Sequence, residues 1–459
     1  MANNFEQFRE LMLANEIDEL VITSFRYLYD KLAAGEKGKL TRDEIEQPAN
    51  ERLTDYADLQ AGNKAPWDKL AIIKLNGGLG TSMGLDRAKS LLKVRNEHTF
   101  LDIIARQIIS QRQQKNISIP LLFMNSFNTS ADTLSYLEKY TELKANDLPL
   151  DFLQNKFPKV VSETLQPLRL SEEKDNWNPP GHGEIYMVMK KTGVLDLLLA
   201  KGYEYIFISN SDNLGAVADA RILQYMSEQK LPFIMEVCHR SEMDKKGGHL
   251  AQDKMGRLIL RETAQCPDNE IEEFQDIDHY KYFNTNNLWI DLIALNQKLM
   301  ENDNFLQLTP IMNQKTVNGI EVIQLESAMG AAINVFAESR AVIVNRDRFV
   351  PVKKTNEFLA LRSDAYFLDE NWQIKLKKGK NNAPQVQLDE RYYKTISEFE
   401  QRMNDHYPSL QNCEEFSVDG DLYFGENVVI EGKVKISAVN TRLLENRKLK
   451  DECITLNQD

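Results

Sequence analysis

Apolar residues open the chain at helical spacing. Phe5, Phe8, Leu11 and Met12 fall on one face, and the stretch from residue 1 to about 60 reads as helical. Thr41 followed by Glu44 is the capping-box signature of another helix start. From Leu70 the texture changes. LAIIKL (70–75) is a short apolar run with β-branched residues, the pattern of a buried strand, and glycines follow it. FLDIIARQIISQ (100–111) returns to helical spacing, PLLFMN (120–125) is strand-like, and a helical stretch begins near Thr129. YIFIS (205–209), PFIMEVC (232–238) and AVIVN (341–345) are further candidate strands, with helical patterns between several of them. This alternation predicts an α/β sheet with helices on both faces. Ligands of such sheets bind beyond the carboxyl ends of the strands.

The C-terminal pattern has a different period. Phe416, Leu422, Val428 and Val434 recur every six residues, as do Val418, Phe424, Ile430 and Ile436, with Gly420, Gly425 and Gly432 between them. A six-residue apolar repeat predicts turns of a parallel β-helix. An antiparallel meander with polar turns is the other arrangement the pattern allows.

Composition narrows the class. At 459 residues the chain exceeds the size of one core, so two or three domains are expected. Hydrophobic residues are 42% of the total, enough for packed cores. A net charge of −13 disfavours nucleic acid and acidic membrane surfaces. An anionic small substrate would therefore need a local basic pocket. Cys238, Cys266, Cys413 and Cys453 form no C-x-x-C pair and read as reduced thiols. The opening MANNFEQFRE has no basic region followed by an apolar one, and no apolar run is long enough to span a bilayer. A cytoplasmic enzyme or binding protein is the expectation.

Four segments carry candidate chemistry. KLNGGLGTSMG (74–84) follows a predicted strand directly. Its glycines allow tight turning and close approach of a ligand, and its exposed N–H groups could form an anion nest. Lys89 is near enough in sequence to add a positive charge. The order is neither a Walker A loop nor G-x-G-x-x-G, and a tight strand-to-helix turn without ligand is the plainer reading. NPPGHGE (178–184) displays His182 between two glycines in a proline-braced loop, unlike His98, His279 and His406, which read as ordinary surface or core residues. SNSDN (209–213) ends the YIFIS strand, where Asp212 could serve Mg²⁺ with phosphate oxygens and water, or simply cap a turn. FVPVKKT (349–355) restrains Lys353 behind a proline; phosphate neutralisation and plain solvation are both open to it. Lys375, Lys377, Lys378 and Lys380 read as solvated, on a strand edge or hairpin.

Together the motifs resemble one family. KLNGGLGTSMG, KSL (89–91), QNKFPKV (154–160), PPGHGEIY (179–186), NSDNLG (210–215), KGGHL (246–250), FNTNNLW (283–289), VIQLESAMGAAI (322–333) and RFVPVK (348–353) are similar in order and spacing to the eukaryotic-type UTP–glucose-1-phosphate uridylyltransferases, or UDP-glucose pyrophosphorylases. The resemblance implies an N-terminal helical segment (1–65), a Rossmann-like, GT-A-like nucleotidyltransferase domain (66–365) and a left-handed parallel β-helix domain (366–459). It implies reversible, Mg²⁺-dependent, in-line transfer of UMP from UTP to glucose 1-phosphate, giving UDP-glucose and pyrophosphate. Carried over by motif, Leu75, Asn76, Gly77 and Gly78 would hold UTP through backbone contacts. Gln154 would read the uracil edge, with Gly181 against the nucleotide. His182, Asn210 and Ser211 would meet the sugar phosphate, alongside Gly77, Gly78 and Asp212. Asp212 would bind Mg²⁺. Lys89 and Lys353 would hold the phosphates as the catalytic cations, while KGGHL and FNTNN would line the sugar pocket. Family members assemble through the C-terminal domain, so a monomer and a homo-oligomer both stand. Two positions depart from the family pattern: Ala88 replaces its proline, and Glu184 its usual aspartate. The competing readings are a UDP-sugar or UDP-N-acetylhexosamine pyrophosphorylase, and a non-catalytic nucleotide-sugar-binding regulator.

Overall fold

The structure, a computed structural model, describes residues 2–145, 147–377 and 382–456. Its centre is a mixed sheet. Eight strands run in the order Leu53–Asp55, Arg340–Ile343, Phe233–His239, Tyr282–Asp291, Tyr205–Asn210, Leu70–Asn76, Leu121–Asn125, Asp151–Leu153. Neighbours are parallel except at Tyr282–Asp291, which is antiparallel to the strands on both sides. Three short strands, Ile45–Glu46, His249–Asp253 and Leu258–Arg261, branch from it through the pair His249↔Phe283. The expected strands at 70, 120, 205, 232 and 341 are all present. Their continuous apolar runs reflect burial on both faces: alternate residues of Leu70–Ile73 enter opposite cores, Leu70 and Ile72 in one, Ala71 and Ile73 in the other.

The N-terminal segment forms helices Ala2–Ala14 and Glu19–Ala33. Phe5, Phe8 and Met12 are buried, and Phe25 meets Phe157 edge-on at 5.2 Å, which docks the pair on one sheet face. The helical reading fails beyond Ala33. The Thr41–Glu44 capping box forms, yet it closes only the single turn Arg42–Glu44 before Ile45 pairs with Asp253. Pro48 lies too close downstream for a helix to continue, because the residue before a proline is pushed out of the helical region.

The opposite face is covered from the C-terminal side. Phe358, Phe399, Leu410, Phe416 and Val434 share one continuous core with Leu70, Ile72 and Phe207. Within this part Gln385–Leu388, Ser409–Phe424, Val429–Leu444, Lys448–Lys450 and Cys453–Leu456 pair exclusively in parallel, which rules out the antiparallel meander. Phe416 faces Val434 and Val418 faces Ile436, a displacement of eighteen residues, or three hexads. All eight hexad residues are buried. The lysine-rich stretch is a hairpin of Tyr366–Leu368 with Ile374–Leu376, where Lys375 reaches Asp369 at 2.7 Å. Lys378 and Lys380 lie outside the described residues. Among the described residues no helix is long and apolar enough to cross a membrane. All four cysteines are free, and only Cys453 is exposed.

Candidate active site

Register aligns three strand ends. Asn210 faces Leu75 and Asn76 faces Asn125, so the loops beginning at Gly77, Ser126 and Ser211 emerge side by side. Side chains then tie them together. Ser211 Oγ donates to Asn76 Oδ1 at 2.9 Å, and Asn76 Nδ2 donates to Asn125 Oδ1 at 2.8 Å and to Thr133 Oγ1 at 2.9 Å. Ser126 Oγ donates to the Gly77 carbonyl at 2.9 Å. The side chains of Asn76 and Ser211, both buried, are thus committed to scaffolding, while Leu75 and Gly77 are half-buried and Gly78 is exposed. Beneath them Lys74 is buried, and its Nζ donates to Ser209 Oγ and to the Ala216 carbonyl, both at 2.7 Å. Desolvation pulls this ammonium down to about 7.

Gln154 and the histidine loop close one side. A Cβ on Gly77 would lie 3.0 Å from Gln154 Oε1, so glycine is what lets the amide approach the loop. Gln154 Nε2 donates to the Gly181 carbonyl at 3.1 Å. Gly181 has φ +81°, and a Cβ there would run into the Ser327 carbonyl oxygen, so this position requires glycine on two counts. The loop is stitched to residues 327–329: Gly183 N–H donates to Ser327 O at 2.8 Å, and Met329 N–H donates to His182 Nδ1 at 2.9 Å. Accepting at Nδ1 leaves Nε2 as the protonated nitrogen of neutral His182. Desolvation and the nearby Lys353 charge lower the imidazole to about 4, so the ring is neutral at physiological pH. Glu184, the departure from aspartate, is buried and accepts from Asn155 N–H at 3.0 Å and Asn155 Nδ2 at 2.6 Å; desolvation raises it to about 7.

Opposite stand the charged groups. Lys89 N–H donates to the Gly78 carbonyl at 3.2 Å, folding its loop back on the glycines. Lys89 Nζ reaches Asp212 Oδ2 at 2.8 Å and also contacts the Val352 carbonyl. Ala88 has φ −53°, within the range proline imposes, so the backbone here already has a conformation that a proline would take. Asp212 Oδ1 is buried without a hydrogen-bond partner among the described residues. Asn210, at the strand end, is half-buried.

The Asp212 and Lys353 loops are latched. Asn213 and Pro351 form an antiparallel bridge, Val352 N–H donates to the Asp212 carbonyl at 3.2 Å, and Val350 N–H donates to Asn213 Oδ1 at 2.8 Å. Arg348 anchors the latch: Nε and Nη2 donate to buried Glu236 at 2.7 and 2.6 Å, and Glu236 also accepts from Trp289 Nε1 at 2.8 Å and Asn287 Nδ2 at 3.1 Å. Lys353 has no ion-pair partner among the described residues. It lines a cavity of about 520 Å³ with Lys246, Gly247, Phe283 and Phe349. KGGHL and FNTNN thus meet at this cavity.

Sequence reasoning missed Glu262. Burial raises its carboxyl while Lys353 pulls it back down, and a Cβ on Gly248 would lie 2.6 Å from Glu262 Oε2. Its signal was the short hairpin that sets KGGHL across from RET. The Asn213 and Arg348–Glu236 latch was missed as well, because it joins residues distant in sequence.

The donor set suits Mg²⁺. No group of three or more His, Cys, Asp or Glu side chains exists among the described residues, so a protein cage for a softer metal is not built there. A single carboxylate beside a glycine-rich loop, with one oxygen unpartnered, is an arrangement that fits Mg²⁺ when substrate phosphates and water complete its shell.

The chain is similar in sequence and fold to known proteins. A family profile described as UTP--glucose-1-phosphate uridylyltransferase matches residues 22–431. The protein of that name from Musa acuminata is 40% identical over 441 residues, spanning 94% of this chain and 93% of its own. That from Saccharomyces cerevisiae is 38% identical over 450 residues, spanning 94% and 88%. Open and closed structures of the Leishmania major UDP-glucose pyrophosphorylase match with TM-score 0.94 and 38% identity, covering 99% of this chain and 100% of theirs. A tryptophan-substituted variant of that enzyme, in complex with UDP-glucose, matches with TM-score 0.93 and 38% identity, covering 99% of both chains.

Proposed function

Because the chain belongs to the UTP–glucose-1-phosphate uridylyltransferase family, and is a nucleotidyltransferase that joins UTP and glucose 1-phosphate into UDP-glucose and pyrophosphate, we propose that Asp212, Lys89 and Lys353 carry the charge of that reaction. The latch that brings Lys353 to the Asp212 loop is the observation behind this reading. A phosphate oxygen of glucose 1-phosphate attacks the α-phosphorus of UTP in line. The bond to the bridging oxygen breaks, and pyrophosphate leaves with its electrons. The nucleophile is already an anion, so no strong general base is required. The barrier is the repulsion between two polyanions, which positioned cations offset. Asp212 would hold Mg²⁺, which when bound neutralises phosphate charge. Lys353, free of ion-pair partners among the described residues, is available to the phosphates, and Lys89 lies on the glycine loop where a phosphate would be cradled.

On this reading Leu75, Gly77 and Gly78 bind UTP through backbone groups, while Asn76 and Ser211 hold the loops in register. Gln154, lying between Gly77 and Gly181, reads the uracil edge. His182 offers Nε2–H to the sugar phosphate as a neutral donor, with Asn210 nearby. Glu262 and Phe283 join the sugar pocket. Residues 1–65 also give the central sheet its edge strand Leu53–Asp55, so the boundary at 65 divides a sheet, and we read the parallel C-terminal ladder, with its three-hexad displacement, as a left-handed β-helix. Free cysteines suit a cytoplasmic setting.

Pyrophosphate release from UTP and Mg²⁺, measured with and without glucose 1-phosphate, tests the reading. Release should depend on the sugar phosphate and yield UDP-glucose. Equal turnover with N-acetylglucosamine 1-phosphate would shift the assignment to another sugar; UTP binding without turnover would make the chain a regulator.

A further inference from the structure

The Lys89 ammonium sits on the carboxylate that the proposed reaction gives to a divalent cation. Nζ lies 2.8 Å from Asp212 Oδ2, and this is the only ion pair of Asp212 among the described residues. The pair is largely shielded, with 14% of the lysine and 21% of the aspartate side chain exposed. Resting on the proposed function, we infer that Lys89 is a stand-in for the metal: in the nucleotide-free protein its ammonium neutralises Asp212 and keeps a divalent ion out.

Three features carry the inference. An ammonium is a compact point charge that seeks the same hard oxygens as Mg²⁺. With Nζ on Oδ2, a dication at the neighbouring Oδ1 would face a positive charge a few ångströms away in a largely shielded setting, where repulsion is poorly screened. The second anchor of Nζ is the Val352 carbonyl, immediately before Lys353, so the parked lysine also ties the glycine-rich loop to the Lys353 loop. A triphosphate removes the conflict. Its oxygens can accept the ammonium and share the metal, so Lys89 leaves Asp212 as the metal and nucleotide arrive together. Lys89 thus has two stations, the carboxylate when the site is free of nucleotide and the phosphates when nucleotide is bound.

The test uses Mn²⁺ as probe, titrated into the full-length protein without nucleotide, with free ion read by electron paramagnetic resonance. Lys89→Met and Lys89→Gln should bind Mn²⁺ about tenfold or more tighter than the unsubstituted protein, and adding Asp212→Asn to either should remove the gain. The glutamine variant keeps a donor for the Val352 carbonyl, so the loop retains an anchor if methionine loosens it. Mn²⁺ affinities within twofold of the unsubstituted protein in both variants would overturn the inference, as would a gain that survives Asp212→Asn. Failure of the functional reading would appear separately, as absent glucose-1-phosphate-dependent pyrophosphate release from the unsubstituted protein. Because the Mn²⁺ measurement contains no substrate, the two failures are distinguishable.

Discussion

The buried Arg348–Glu236 pair fixes the segment that carries Lys353, and breaking it has a cost that can be worked out. Glu236 has no exposed surface, and its carboxylate takes four hydrogen bonds, two of them from Arg348. Replacing Glu236 with glutamine preserves shape but removes the charge, and it turns one oxygen into an amide that faces a donor. The guanidinium then keeps the remaining amide oxygen, the Val217 carbonyl at 2.9 Å and, as its only carboxylate among the described residues, Asp219 at 3.9 Å. An uncompensated buried charge costs about 3–5 kcal/mol. Asp219 offsets part of that, so the expected loss is near the lower bound, about 3 kcal/mol. Arg348→Met should cost a similar amount by stranding the carboxylate. The double variant strands neither charge, so it should cost at least about 2 kcal/mol less than the sum of the singles. Urea unfolding followed by tryptophan fluorescence reads all four proteins, with Trp289 reporting from within the network. Turnover should fall in each single variant, because Arg348 leads the segment that ends in Lys353. Costs that add to within about 0.5 kcal/mol would show that the two charges do not compensate each other, and the latch would lose its physical basis.

Lys353→Ala should lower turnover more than tenfold with an unchanged melting profile, since a contact made to transition-state charge exceeds the ~1.4 kcal/mol that a factor of ten represents; near-normal initial rates would remove Lys353 from the site. His182→Leu should raise KM for glucose 1-phosphate more than for UTP, measured by varying each substrate in turn. The same variant checks the pH argument. With its folded pKa depressed to about 4, His182 contributes stability that is fully present above pH 6.5 and lost as pH falls through 4. The stability difference between unsubstituted protein and variant, read from urea midpoints, should therefore shrink over that window by up to about 3 kcal/mol. Glu184 runs the other way. Its raised pKa contributes stability present below pH 4.5 and lost as pH climbs through 7, which is why a difference measurement is needed. Ala88→Pro should be neutral or stabilise by about 0.4–1 kcal/mol, because φ is already −53° and the Ala88 N–H has no acceptor among the described residues; a thermal shift downward would mean the loop needs freedom there.

Legibility in the sequence depended on range. The strands could be read because burial on both faces writes them as continuous apolar runs, and the hexads because their period appears in a single pass. The glycine loop, the histidine loop and Asp212 could be read because each is local chemistry attached to a strand end or a proline brace. Residues 34–60 misled because the capping box at Thr41 is real but local: it satisfies one turn, and Pro48 and the pairing of Ile45 with Asp253 set the path of the chain beyond it. Glu236 was invisible for the opposite reason: it works through Arg348, more than a hundred residues away, and nothing in its own neighbourhood marks it. The role of Asn213 depends on Val350, just as distant, and only the hairpin opposite KGGHL marks Glu262.

Those long-range contacts resolve how an acidic chain handles two polyanions. With a net charge of −13, the average field opposes both substrates, so cations must be concentrated and kept from being neutralised by the surplus of carboxylates. The structure does this by occupying the nearby acids. Glu236 is consumed by Arg348, Asp244 by Arg346 and Glu390 by Lys354, while Glu184 is held by Asn155 and pushed toward its neutral form by burial. Lys353 is left without an ion-pair partner among the described residues, and Lys89 is paired only with the carboxylate that the metal would claim. The basic pocket therefore arises from an arrangement in which Glu236, Asp244, Glu390 and Glu184 already have partners, so disturbing a distant pair such as Arg348–Glu236 reaches the chemistry by freeing an acid as well as by moving a loop.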